Sequence, residues 1–397
     1  MLVKVPLVAA AAFATAVSAV AVPADIELMK KSYIERLHKR STSLAKRNSL
    51  TTGVSDATIL NFALTLEHLE DTWYKMALEK FTAADFEAAG YTGLYPLLEQ
   101  VSRDETSHVG FLKAALEAAG ATPVQACNYS FPLTTVKDFL SLSQVVEGVG
   151  VSAYLGAAGA IHEPDYVTAA GSILTVEARH NAFVRFLNNY TPFPQPYDTP
   201  LSATNVVTIV TPFFDSCPEG SAPTIKGKSA INVTTTEFTL GGTLELVPAD
   251  ASAVPAGTTV YCGFATGLEA AFTLWEDGSC KIPTENITTG QTYVLVTTGP
   301  SLEDKYTLAG PAIIDTTPQN TSVTIPGLEN SAASGASSAV ASATSAAGSA
   351  VASSAPASAS PSPAGLAAAT NAAVSGKQMA GAAGLFAALV GGLAVLL

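Results

Sequence analysis

Charge is scarce in this 397-residue chain, and positive charge scarcest of all. Only 13% of its residues are Asp, Glu, Lys or Arg, about half the share of an ordinary soluble domain. Twenty Lys and Arg stand against 33 Asp and Glu, a net charge of −13, so the sequence offers no basic patch for a polyphosphate backbone. Nucleic-acid binding is thereby excluded as a function class. The four cysteines, Cys127, Cys217, Cys262 and Cys280, include no closely spaced pair, which leaves no Cys-x-x-Cys metal or redox motif. Only five histidines occur and none follows His180, so imidazole chemistry is confined to the first half. Between Ser331 and Thr370 there is neither a charged nor an aromatic residue. A stretch of that composition cannot bury enough apolar surface to offset its ordering entropy and is expected to be a disordered stalk, residues 331–371.

The two ends read as addresses. Residues 1–21, with Lys4 ahead of an apolar run and small residues after it, have the form of a cleavable secretory signal peptide. Residues 22–47 form a basic, propeptide-like segment in which Lys39-Arg40 and Lys46-Arg47 resemble processing sites. Residues 372–397 follow small residues and a short spacer with an apolar tail, the pattern of a removed glycolipid-anchor signal; a retained transmembrane helix is the alternative. The expected location is therefore extracellular, at the outer face of the plasma membrane or in the cell wall. The expected partners are the membrane, through the glycolipid anchor, and cell-wall polymers. Sequons at Asn128, Asn189, Asn232, Asn286 and Asn320 suit an exported glycoprotein. In an oxidising compartment the cysteines favour disulfides; of the three pairings, Cys127–Cys217 with Cys262–Cys280 is preferred.

Residues 50–190 carry four amphipathic segments: Asp56 to Phe81, Leu94 to Ala119, Thr135 to Ile161 and Tyr166 to Asn189. Each is long enough for nearly 40 Å of helix, the proportions of an antiparallel bundle. The apolar stripe of the second segment, Leu94, Leu98, Val101 and then Leu112, is interrupted at two inward positions by Glu105 and His108. The fourth repeats the pattern, with Glu177 and His180 between Ile173 and Val184. Three residues apart, each Glu and His share a helix face. The first and third segments each place one Glu inward, Glu67 and Glu147, followed seven residues later by Tyr74 and Tyr154. Four buried carboxylates demand cations, since each unpaired charge costs several kcal/mol. Two divalent ions cancel four glutamates, and two neutral imidazoles complete the ligand set: Glu67, Glu105, His108, Glu147, Glu177 and His180. A Glu from each of two helices with a Glu-x-x-His from each of the other two is the ligand pattern of dinuclear iron or manganese carboxylate bundles.

Through "LNFALTLEHLEDTWY", "RDETSHVGFL", "VVEGVGVSAYLGAAGAI" and "VEARHNAFVRFLN" the chain resembles the ferritin-like domain of secreted fungal proteins described as stress-response or sexual-development proteins. The resemblance covers about residues 50–190 and implies a four-helix bundle with a metal site at the same six positions. It implies no particular reaction.

Among the neighbours, Glu70 competes with Glu67 as ligand, and Glu67 is preferred because its spacing to Tyr74 recurs at Glu147 and Tyr154. Tyr74 and Tyr154 are expected as packed tyrosines with satisfied hydroxyls rather than ligand supports or radical relays. His68 is expected on the surface, His162 as a capping or solvated group, and Arg103 with Asp104 as an ion pair. Residues 202–326 change character: Val206–Val210, Phe238–Leu240, Leu244–Val247, Thr258–Tyr261, Phe272–Trp275 and Tyr293–Val296 read as short strands of an antiparallel β-sandwich. The whole is an α+β multidomain chain: ferritin-like antiparallel four-helix bundle, β-sandwich-like domain, stalk. The function expected is a di-iron oxidase or ferroxidase, with two iron ions or alternatively manganese and small redox molecules as partners. A non-enzymatic cell-wall structural or developmental protein is the alternative, and a manganese catalase-like activity a weaker third.

Overall fold

The computed structural model describes residues 54–317. The expected signal peptide, basic segment, stalk and anchor signal lie outside the described residues. Helix α1 spans Asp56–Lys80, capped by Ser55, whose hydroxyl accepts from the Thr58 amide. A short α2, Ala83–Ala88, opens with a Thr82–Asp85 capping box. Helix α3, Tyr95–Ala118, carries Pro96 in its first turn and stops before Gly120, whose φ of 70° suits glycine. After β1, Asn128–Tyr129, come α4, Val136–Ala158, with a Thr135–Asp138 capping box, and α5, Pro164–Leu187, with proline at its first position. All four long helices agree with the sequence expectation to within three residues at each end.

Side-chain pairings fix the bundle's directions. Asn61 meets Val124, Asp71 meets Thr106 and Tyr95 meets Leu78, so α1 and α3 run antiparallel. Asn188 donates to the Leu140 carbonyl and Asn181 to that of Gln144, so α4 and α5 do the same. Trp73 is fully buried, and its indole N–H donates to Ser143 Oγ at 2.9 Å, joining α1 to α4. Phe139 packs against Trp73, Tyr74 and Phe86 in one aromatic cluster.

Beyond the bundle the chain forms α6, Ala203–Val210; β2, Phe214–Ser216; β3, Ile231–Val233; β4, Thr243–Pro248; β5, Tyr261–Thr266; β6, Glu269–Leu274; β7, Ser279–Lys281; β8, Gln291–Thr297; and β9, Thr307–Asp315. β2 pairs with β1 in an antiparallel two-stranded ribbon, and the remaining strands form two antiparallel sheets, β3-β4-β7 and β6-β5-β8-β9. Ile231, Leu244 and Leu246 of the first share a core with Phe264, Val294, Val296 and Ile314 of the second. The antiparallel sandwich is therefore present. Along β8 the alternate residues Tyr293 and Leu295, with Ile313 of β9 and Ala265 of β5, belong instead to the core that holds Leu69, Trp73 and Val149 of the bundle. The four-stranded sheet is thus buried on both faces, which is why β8 reads as an unbroken apolar run. Arg185 of α5, almost fully buried, reinforces the junction: it donates to Asp315 Oδ2 at 2.5 Å and to Thr317 Oγ1 at 3.2 Å.

Three strand expectations are corrected. Val206–Val210 lies in α6, where the Ser202 hydroxyl accepts from the Asn205 amide and Val206, Val207 and Val210 bury one helical face. Burial on that face overrides the β preference of the valines. Phe238–Leu240 forms no strand, although Phe238 enters the sandwich core, and Thr258–Val260 precedes β5 rather than joining it. Both preferred disulfides are present, Cys127–Cys217 and Cys262–Cys280. The second joins β5 to β7, and so one sheet of the sandwich to the other.

Candidate metal centre

Antiparallel packing brings the six expected residues together at mid-bundle. Glu67, Glu105, Glu147 and Glu177 are all fully buried, and His108 and His180 nearly so. Both imidazoles turn Nδ1 toward the carboxylates. His108 Nδ1 lies 3.0 Å from Glu177 Oε1, 3.2 Å from Glu105 Oε2 and 3.3 Å from Glu67 Oε2. His180 Nδ1 lies 2.9 Å from Glu105 Oε1, 3.6 Å from Glu147 Oε2 and 4.0 Å from Glu177 Oε2. The donors fall into two overlapping groups, each with its ligand atoms within 4.8 Å of one another. Glu67, Glu105, His108 and Glu177 form one, and Glu105, Glu147, Glu177 and His180 the other. Glu105 and Glu177 belong to both.

The tyrosines explain the recurring seven-residue spacing. Seven residues are two helical turns, about 10 Å, too far for a tyrosine to reach the glutamate of its own helix. Because α1 and α4 run antiparallel, the pairs exchange partners. Tyr154 O–H donates to Glu67 Oε1 at 2.5 Å, and Tyr74 O–H donates to Glu147 Oε1. Each bond occupies the outer oxygen of its glutamate and leaves Oε2 toward the centre. Both hydroxyls are satisfied, as expected, but by site carboxylates. Supports of this kind around metal ligands are worth about 10–100-fold in affinity. Tyr154→Phe is therefore expected to weaken metal binding by about that factor, read by competition against a chelator.

Three neighbours differ from expectation. His68 is buried, with Nε2 3.2 Å from the Val124 carbonyl, because the 121–126 segment folds over that side of α1. Asp104 and Arg103 do not pair: both bond to Gln100, and Asp104 Oδ2 sits 3.4 Å from His180 Nε2, the ring edge facing away from the centre. Glu70 joins Glu67 inside instead of replacing it. Gly150 makes room, since a Cβ there would lie 2.7 Å from Glu70 Oε1. Glu70 thus adds a fifth buried carboxylate, signalled in sequence only by Gly150 sharing the inner face of α4 with Glu147. His162 is exposed and pairs with Asp56 at 3.1 Å, as a capping group should.

Without cations, so dense a set of acids retains protons. Burial pushes Glu67 up to about 7, and burial with the charge of Glu67 pushes Glu177 up to about 8. Burial and the surrounding glutamates hold Glu70 well above the carboxylate range, and burial raises Glu147. Burial works against charge on the histidines, but the glutamates outweigh it, raising His108 to about 12 and His180 to about 11. Several inward atoms, Glu67 Oε2, Glu105 Oε1, Glu147 Oε2, both Glu177 oxygens and His180 Nδ1, make no well-aligned hydrogen bond and meet only one another across the carboxylate–imidazole contacts. Buried carboxylate oxygens and imidazole nitrogens converging on one point are the donor set a divalent transition metal requires.

A bundle of four long antiparallel helices closing on two Glu-x-x-His pairs and two further glutamates defines a ferritin-like domain with a buried acidic and histidine cluster that could hold metal. Residues 55–189 match the sequence model of the ferritin-like domain. Over 163 residues the chain is 28% identical to Protein rds1 of Schizosaccharomyces pombe, a match covering 40% of this chain and 39% of that relative's length. A solved structure of a conserved hypothetical protein from Mycobacterium tuberculosis is 20% identical, with a TM-score of 0.30, over 34% of this chain and 99% of its own.

Proposed function

We propose that the bundle holds two divalent iron or manganese ions and acts as an oxidase or ferroxidase at the cell surface. The observation that carries this reading is the pair of donor groups sharing Glu105 and Glu177. Glu67, Glu105, His108 and Glu177 would hold one ion, and Glu105, Glu147, Glu177 and His180 the other. Four carboxylate charges then balance two dipositive ions within a core that tolerates little net charge. Bound there, a redox-active pair would supply two electrons, one from each ion, that with two protons reduce dioxygen to hydrogen peroxide.

The chain's own residues prepare that chemistry. Tyr74 and Tyr154 hold the outer oxygens of Glu147 and Glu67, so the inner oxygens stay aimed at the centre. Asp104 faces His180 Nε2 and orients the ring with Nδ1 inward. In the metal-free protein burial and the acidic neighbours raise Glu70 well above the carboxylate range, which keeps a proton beside the site. Two disulfides suit an oxidising, extracellular setting, in which the glycolipid anchor would tether the protein near cell-wall polymers. A metal-free structural role would leave four buried glutamates balanced by only two histidines. Anaerobic Fe(II) titration is expected to saturate at two ions per chain. A protein that takes up no Fe(II) or Mn(II) overturns the reading.

A further inference from the structure

On the far side of α4 and α5 from the glutamate cluster, where these helices meet β8 and the 192–199 connector, lies a separate cavity of about 230 Å³. We propose that it is a binding site for a single neutral sugar residue of a glycan. Its wall is preformed. The connector is held to the sheet by Thr289 Oγ1 donating to the Pro194 carbonyl at 2.9 Å, and by the Gly267 amide donating to Thr199 Oγ1 at 2.6 Å. Close approaches at two positive-φ glycines complete the clamp: a Cβ at Gly267 would meet the Tyr197 carbonyl at 2.9 Å, and one at Gly290 would meet Pro194 at 3.0 Å. A rigid wall loses little entropy on binding.

The polar groups of the wall are half committed. Asn181 gives its N–H to the Gln144 carbonyl, which leaves its amide oxygen as an acceptor. Gln195 uses its oxygen for Thr266 and Thr288, which leaves its –NH₂ as a donor. Ser152 and Tyr293 share a 2.7 Å hydroxyl pair on the floor that is already tied to the Gly148 carbonyl and Gln291, and Asp198 adds an exposed carboxylate at the mouth. Beside them Phe193 is 81% exposed. An uncovered aromatic ring offers a platform for the C–H face of a pyranose, and interspersed donors and acceptors suit its hydroxyls.

Other ligand classes fit less well. An anion would need a cation, and Arg185 has each guanidinium nitrogen engaged, Nε with the Thr191 carbonyl, Nη1 with Asp315 and Nη2 with Thr317. A purely apolar ligand would strand the Asn181 oxygen and the Gln195 –NH₂. The volume corresponds to about seven or eight waters, the scale of one hexose.

The test is a titration of the full chain, by calorimetry and saturation-transfer NMR, with soluble glucan, mannan and chitin oligosaccharides. Saturable binding to one of them is expected. Phe193→Ala should weaken it at least about tenfold while metal content and melting temperature stay at the wild-type values, and Asn181→Ala should weaken it as much with metal content unchanged, although losing its bond to the Gln144 carbonyl lowers the melting temperature. Absence of binding to all three at about 10 mM overturns the proposal. So does binding that both variants leave unchanged, or binding of choline in place of any sugar. Metal loading is a separate readout, so failure here leaves the dinuclear reading standing, and the reverse.

Discussion

Replacing Glu105 and Glu177 together by glutamine is expected to abolish divalent-metal binding and, at the same time, to raise the melting temperature of the metal-free protein. The first effect follows because these two side chains alone belong to both donor groups. Removing their charge takes two of four balancing carboxylates from a buried site, so neither ion keeps a neutral environment. The second follows because the acids are packed for cations. In metal-free protein Glu67, Glu70, Glu147 and Glu177 all have raised pKa values, and His108 and His180 are raised to about 12 and 11. A raised folded-state pKa means that the native state binds more protons than the unfolded chain, and stability falls as pH climbs. For Glu67 and Glu177 the loss runs from about 4.5 to about 7 and 8. For the histidines it continues from about 6.5 to about 11 and 12. Metal-free wild type should therefore melt lower at pH 8 than at pH 5. Metal-loaded wild type should hold its melting temperature over that range, since the ions take the place of the protons and bind more tightly as these leave. The double variant should lose the metal response and show a shallower pH slope. Melting curves at several pH values, with chelator and with Mn(II), check all three. A double variant that still binds two ions removes the basis for the shared-glutamate arrangement.

The six residues that converge at mid-bundle were legible because each breaks a rule of its own helix. Glu105 and His108 interrupt a stripe that Leu98, Val101 and Leu112 otherwise keep apolar, and burial of that stripe is what a helical period of 3.6 encodes. Glu70 was harder to place because it lies on the same face as Glu67, and periodicity cannot say that both fit. The space beside it comes from Gly150 on another helix, a tertiary fact. His68 was misplaced for a similar reason. Its helix position faces away from Glu67, and only the return of the chain at Val124 buries it. Asp104 looks in sequence like half of an ion pair with Arg103, yet α5 brings His180 within reach, a pairing across 76 residues. In the β-region the alternation within β8 is masked because helices cover one face and strands the other. Val206–Val210, by contrast, has strand-like composition and helical burial, and composition misled. The elements whose fate depends on a single face were readable; those decided by two neighbours were not.

Gly156→Ala is expected to be the most destabilising one-methyl change in the described fold, with a loss of more than about 4 kcal/mol in denaturant unfolding. Its added Cβ would fall inside the Leu201 carbonyl oxygen. Neither side can yield easily. Gly156 lies in α4, most of whose residues are buried, and the Leu201 amide donates to the Ser152 carbonyl at 3.0 Å, fastening the connector to the same turn. Leu201 also leads directly into Ser202, the cap of α6, so displacing it undoes that helix start. Two sister substitutions separate this clash from a general intolerance of alanine. At Gly171 of α5 a Cβ meets nothing within 4 Å, and the better helix propensity of alanine should gain up to about 1 kcal/mol. At Gly150 the Cβ meets the buried Glu70 carboxylate at 2.7 Å and Glu177 Oε2 at 3.7 Å, side chains rather than backbone, so the loss should fall between the other two while metal affinity shifts. The order 171 above 150 above 156 in unfolding free energy is the expected result. Equal losses at all three positions would show that α4 yields to the added methyl as readily as α5, and that the contact with Leu201 does not fix the connector.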